Sequence, residues 1–261
     1  MRAMSIGASG MQAQQLNVEV ISNNIANIST TGFKRSRAEF QDMLYENMRR
    51  VGSPSSDTGT LLPSGLQVGL GVMPVATYRI SEQGNLTVTN NQFDVAINGR
   101  GFLQVQVPDG TTAYTRAGSL QLNETGQIVS PDGFPILPAI TVPANALSVT
   151  INASGQVTAT IDGQTAEQSL GQLQLATFIN QTGLEAIGNN LLKETAASGS
   201  PTVGNPQSAG FGSLVQGSVE SSNVNVVSEI TGLITAQRAY EMNSRVIKTA
   251  DEMLTTISQL R

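Results

Sequence analysis

Apolar residues at the two ends of the chain recur at steps of three and four, whereas those in the middle recur at steps of two. Near the C-terminus, Val226, Ile230, Leu233, Ala236, Tyr240, Asn243, Ile247, Ala250, Leu254 and Ile257 keep the helical spacing. Near the N-terminus, Met4, Ala8, Met11, Gln15, Val18, Ile21, Ile25 and Ile28 keep it more weakly. Such spacing gathers side chains on one stripe of an α-helix, the seam by which helices pack in coiled coils. Two stripes at opposite ends predict one helical domain made from both termini, with the stripe residues as its packing and self-assembly surface. The first helix is expected from Ala3 to Ile28. Gly7 and Gly10 weaken it by about 1 kcal/mol each relative to alanine, and Thr30-Thr31-Gly32 stops it. The C-terminal helix is expected to take its N-cap from Ser221, Ser222 or Asn223.

Residues 33–50, with Phe33, Phe40, Met43, Leu44 and Met48 among charges, read as a second, shorter amphipathic element. From Gly52 to Gly65 the chain is rich in Ser, Thr, Pro and Gly, which predicts a long loop or an extended arm. Arg49 and Arg50 before it, and Leu61 and Leu62 near its end, offer a basic anchor and then an apolar one for reaching a neighbouring subunit. Strand patterns follow. Phe93, Val95 and Ile97 alternate up to Asn98-Gly99, and Leu103, Val105 and Val107 alternate after it, which predicts a tight hairpin. Leu147, Val149 and Ile151 face Val157, Ala159 and Ile161 across 152–155, a second hairpin. The fold class expected is α+β: an α-helical coiled-coil domain formed by the two termini plus a central all-β domain, sandwich- or barrel-like. Its boundaries are 1–32 for the first helix, 33–71 for a connecting segment with the arm, 72–200 for the β domain, 201–222 for a linker and 223–261 for the last helix.

Composition turns this architecture toward assembly. Only 13% of residues are charged, about half the usual share, so large areas can meet a neighbour without the cost of burying ions. The formal net charge of -5 argues against a nucleic-acid partner. Charge is also segregated. Lys34, Arg35, Arg37, Arg49 and Arg50 lie early, while 117–237 holds Lys193 alone against many carboxylates. The early cluster reads either as a solvated face or as a contact surface for the acidic middle of another copy. The chain has no Cys and no His, which removes disulfides, thiol chemistry, the commonest general base and the commonest zinc ligand. Ser9 has no histidine partner, and a lysine base is possible only in principle, since Lys34, Lys193 and Lys248 are the only lysines and none has helpful neighbours. Asp94, Asp109, Glu124 and Asp132 could supply a carboxylate pair for glycan cleavage, but three of them sit in or beside predicted turns. No catalytic, cofactor-binding or metal-binding residue is therefore assigned. No stretch has the length of a membrane span, so no membrane insertion is expected, and no cleaved secretory signal is read at the start.

Longer motifs carry a resemblance. Met11-Gln-Ala-Gln-Gln-Leu-Asn-Val18, Ile21-Ser-Asn-Asn-Ile-Ala-Asn27 and Thr31-Gly-Phe-Lys-Arg-Ser-Arg-Ala-Glu-Phe-Gln-Asp42 resemble the N-terminal signature of bacterial flagellar rod and hook proteins. Ser222-Asn-Val-Asn-Val226, Gln237-Arg-Ala-Tyr-Glu-Met-Asn243 and Lys248-Thr-Ala-Asp-Glu-Met-Leu254 are similar to its C-terminal counterpart. Gln83-Gly-Asn-Leu86, Asp94-Val-Ala-Ile-Asn-Gly-Arg-Gly-Phe102 and Tyr114-Thr-Arg-Ala-Gly118 resemble the β domain shared by hook and distal rod members, and the likeness is nearest to the latter. Met4-Ser5-Ile6-Gly7 and Gly101-Phe102-Leu103 depart from the usual pattern. The resemblance implies a non-enzymatic subunit that self-assembles into a rigid tubular drive shaft, transmits torque from motor to hook and encloses the export channel. It implies as partners further copies in a helical homo-oligomer, proximal rod proteins, hook protein, the P-ring and L-ring proteins and the flagellar type III export apparatus. The implied location is the basal body from periplasm to outer membrane, reached without signal cleavage. The alternatives are a proximal rod or hook-type subunit and, more remotely, a wall-processing glycan hydrolase.

Overall fold

A computed structural model describes residues 2–49, 64–163 and 166–259, leaving aside the side chain of Ile257. Arg50, Leu61 and Leu62 of the expected arm lie outside the described residues. The chain forms two units: Met1–Ile25, Ser36–Tyr78 and Asn225–Arg261 make one, and Ala26–Arg35 with Arg79–Val224 make the other.

The first unit holds both long helices, α1 (Arg2–Ala26) and α2 (Val226–Gln259). At 1.5 Å per residue α2 extends for about 50 Å. Its cap is Asn225, later than the expected 221–223: Ser228 N–H donates to Asn225 Oδ1 at 3.1 Å and Glu229 N–H to Asn225 O at 3.0 Å. Ser221 and Asn223 instead bind loops of the β unit. The amphipathic element expected at 33–50 is two strands. Ser36–Asp42 pairs with Val72–Arg79, and Tyr45–Arg49 pairs antiparallel with Leu66–Gly69. The deciding period is two: half-buried Ala38 and Phe40 alternate with exposed Arg37 and Glu39.

The second unit is β. Its largest sheet has seven strands, running through Glu185–Gly188, Leu191–Lys193, Thr112–Thr115, Phe102–Gln106, Leu175–Thr177 and Thr202–Gly204, with Ile136–Leu137 also paired to Phe102–Gln106. A three-stranded sheet of Ala146–Ile151, Gln156–Ile161 and Gln168–Gln172 contains the expected hairpin, with Ile151 opposite Val157. One core unites them, centred on Val95, Ile97, Leu103, Val105, Val157, Leu173 and Leu175. The hairpin expected at Asn98-Gly99 does not form. Val95–Asn98 pairs with Ser213–Gln216, 115 or more positions away in sequence, and Asn98 lies opposite Ser213. The reason is a side chain: Arg116 gathers the carbonyls of Ile97, Gly99 and Gly101 at 2.9–3.2 Å, so the Gly-Arg-Gly segment wraps a guanidinium instead of turning tightly.

Candidate functional site

The helices of the first unit pack antiparallel through small and polar residues. A Cβ placed on Gly7 would lie 2.9 Å from Ile247 Cγ1, and one on Gly10 would lie 2.7 Å from Asn243 Nδ2. Ile21 Cδ1 comes within 3.4 Å of the corresponding point on Gly232. Further on, Asn24 Nδ2 donates to Glu229 Oε2 at 3.1 Å. Advancing along α1 retreats along α2. The glycines that weaken α1 in isolation are what let α2 approach it, and Asn24 fixes the register. Asn24 is buried and fully satisfied, since it also donates to Ser36 O and accepts from Ser36 N–H, both at 2.8 Å. Polar groups buried in a seam favour one alignment over its neighbours.

Of the expected assembly residues, Ile21 is buried in this seam, and Ile247 is half-buried against Gly7. Met11, Val18, Ile25 and Leu233 are half-buried, and so is Ile28 in the segment after α1. Val226, Ile230, Tyr240 and Leu254 are exposed. Tyr240 and Val18 line a surface cavity of ≈ 340 Å³ with Gln15, Gln237 and Glu241. Ile257 lies outside the described side chains. Arg49, at the end of the Tyr45–Arg49 strand, is exposed opposite Leu66.

Sequence reasoning missed the other flank of α2. At 100° per residue, Ser228, Thr235, Ala239, Met242, Val246 and Met253 share one side that carries no charge along the whole helix. Arg238, Glu241, Arg245, Lys248 and Glu252 lie round to one side of it, about 70–150° from its centre. Met242 is 61% exposed and Met253 55%. The detectable signal was the one-sided absence of charge, not the apolar repeat.

Lys34 is not part of a solvated basic face. It sits against Glu220 in the β unit, where Glu220 is 0% exposed and also meets Arg116 at 2.8 Å. Burial pushes the Lys34 ammonium below its usual range despite the opposing pull of Glu220. Two of the four carboxylates considered for glycan cleavage serve turns: Asp94 accepts from Thr89 Oγ1 at 2.6 Å and Asn91 Nδ2 at 3.0 Å, and Asp109 from Thr111 Oγ1 at 2.6 Å. Hydrogen bonds from Thr111 hold Asp109 below the usual carboxylate range. Ser9 Oγ donates to Ile6 O and accepts from Val72 N–H at 3.3 Å, fastening a strand start to α1. Among the described residues no group of carboxylates is arranged to hold a metal ion.

Three family profiles match the chain. Residues 4–34 match the flagella basal body rod protein family, 96–159 the flagellar hook protein FlgE/F/G D1 domain, and 215–260 the C-terminal region of flagellar basal body rod FlgEFG proteins. Over 261 residues and the full length of both chains, the sequence is 58% identical to the flagellar basal-body rod protein FlgG of Caulobacter vibrioides. It is 50% identical to FlgG of Agrobacterium fabrum over 99% of each chain. With FlgG of Bacillus subtilis the identity is 36%, covering 100% of this chain and 99% of the other.

Proposed function

The chain belongs to the FlgG family of flagellar basal-body rod proteins, and on that premise we propose how it works as a structural subunit of the distal rod. Copies pack through the terminal helices into a helical tube that encloses the export channel and transmits torque from motor to hook. The observation that carries this reading is the charge-free, exposed flank of α2, with Met242, Val246 and Met253. Covering an apolar side chain contributes roughly 1.5–3 kcal/mol, and a heterologous contact repeated without closure builds a filament. In the assembly the antiparallel pair extends into a coiled-coil-like layer, where exposed Val226, Ile230, Tyr240 and Leu254 gain partners.

The further partners are proximal rod proteins at one end, hook protein at the other and the P-ring and L-ring proteins around the shaft. Delivery is through the flagellar type III export apparatus without signal cleavage, so the site of action runs from periplasm to outer membrane. A chain without cysteine can refold beyond the inner membrane with no disulfide to form or mispair. A surface poor in charge suits rotation inside rings, because strong ion pairs to a bushing would resist turning.

Electron microscopy of basal bodies from cells lacking the gene, and from complemented cells, tests the assignment. The expected result is a rod that stops short and non-motile cells, both restored by the chain, with the tagged chain present in the restored rod. Full-length rods without it would overturn the reading.

A further inference from the structure

The chain passes between its two units at Ile25/Ala26, Arg35/Ser36, Tyr78/Arg79 and Val224/Asn225. Within the β unit, the segments next to three of these passages are bonded to one another. Glu220 is at the centre. Its Oε1 accepts from Lys34 Nζ at 2.5 Å and from Gly84 N–H at 3.0 Å, and its Oε2 accepts from Arg116 Nε at 2.8 Å. Its main-chain carbonyl accepts from Gly32 N–H at 2.7 Å. Asn223 repeats the pattern. Its Nδ2 donates to Ile80 O and Glu82 O at 3.0 Å each, and its Oδ1 accepts from Arg35 N–H at 2.7 Å. Lys34 Nζ also donates to Glu82 O at 2.6 Å, and Ile80 N–H donates to Arg35 O at 2.9 Å. The three segments are close enough that a Cβ on Gly84 would lie 1.9 Å from Ser221 O.

Arg116 carries this cluster into the core, because its remaining donors hold the carbonyls of Ile97, Gly99 and Gly101. A buried ion cluster is seldom more stable than apolar packing of the same volume, yet losing one member strands a buried charge. Such a cluster opens as a whole or stays closed. That is the behaviour wanted where a chain under force enters a folded unit, since a single strand is pulled away one hydrogen bond at a time.

We propose that Glu220 and Asn223 form a clasp that makes residues 32–35, 80–84 and 220–223 share mechanical load. The clasp as a cooperative unit stands on the geometry alone; its use under torque rests on the rod reading.

Hydrogen exchange on the full chain tests cooperativity. In Glu220→Gln, the amides of Gly32, Arg35, Ile80 and Gly84 should exchange about tenfold faster or more, together, while those of Val95, Leu103 and Val105 stay unchanged. Faster exchange at Gly84 alone, or at Gly84 and Gly32 alone, overturns the clasp. Should that variant fail to fold, Asn223→Ala strands no charge, and the amides of Gly32 and Gly84, which Asn223 does not touch, become the readout. For load, cells carrying Asn223→Ala are swum in media of rising viscosity. Normal rods, normal swimming in dilute medium and failure at a lower viscosity than wild type support the proposal. Motility equal to wild type at every viscosity, or rods that never form, overturns the mechanical role. Absence of the wild-type chain from the rod would instead overturn the rod reading and leave the exchange result standing.

Discussion

Gly7 shows how one residue can carry opposite signs of free energy. Replacing it by leucine would gain about 1 kcal/mol of helix propensity but would drive a side chain into Ile247, whose Cγ1 is 2.9 Å from where a Cβ would start. Overpacking of this kind costs about 1–3 kcal/mol and forces the helices apart, so packing wins. Gly7→Leu should therefore abolish rods in electron micrographs while the far-ultraviolet β signal of the monomer persists. Ile247→Asp attacks the same contact from the other side by placing a carboxylate in the seam. It should stop swimming without unfolding the β unit, and a mutant that swims normally would show that the Gly7–Ile247 contact is not needed for assembly. Tyr114 belongs to a different cluster, edge-on to the Phe178 ring at 4.8 Å. Burial, with a smaller contribution from Glu194, pushes its hydroxyl up to about 12 from 10.0. An acid whose folded value is raised stabilises the fold fully below the unfolded value and loses that contribution as pH climbs toward the folded one. Thermal melts should therefore fall between pH 10 and 12, and Tyr114→Phe should flatten that part of the profile.

Each helix is long but thinly packed. The buried residues of α1 are Gly7, Ala13, Ile21 and Asn24, and among the described side chains of α2 those buried are Glu229, Ala236 and Ala250. So few large apolar groups remove little surface from water, and most helical stability in proteins comes from such packing. In the monomer, amides of residues 5–25 should exchange much faster than those of Leu103 and Val105, and assembly should protect them; monomer amides as protected as the β core would contradict this. The thinness also explains what the sequence discloses. Both helices were legible from spacing, as was the 147–161 hairpin, because its partners are adjacent and its inward residues alternate. Asn98-Gly99 misled, because Val95, Ala96 and Ile97 are all buried and pair with a strand at 213–216, and nothing local signals a distant arginine collecting carbonyls. The Lys34–Glu220 contact spans 186 positions and was likewise hidden. The outward flank of α2 could have been found, but only by asking where charge is missing.

For the whole chain working in a polymer, resistance to bending needs contacts beyond the helical seam. Tyr45–Arg49 and Leu66–Gly69 form a ribbon that leaves Leu44, Tyr45, Met48 and Leu66 exposed, an arrangement a lone subunit gains nothing from. Near its base Arg2 and Glu46 pair at 2.6 Å, both about half exposed, which contributes little by itself. The sequence between the strands adds Arg50, then Leu61 and Leu62, with Pro54 and Pro63 lowering the entropy lost on ordering it. We favour an arm laid on a neighbouring copy, basic at Arg49 and Arg50 where the acidic middle of that copy can meet it, and apolar at Leu61 and Leu62. An arm that reaches across a subunit boundary adds contacts that must break before the tube can curve, whereas the helical seam alone resists separation and not bending. Deleting Ser53–Leu62 should leave export and polymerisation intact, since the seam residues are untouched, and should give rods that are bent or more flexible in electron micrographs. Straight rods of normal stiffness from the deletion would reduce the segment to a passive tether.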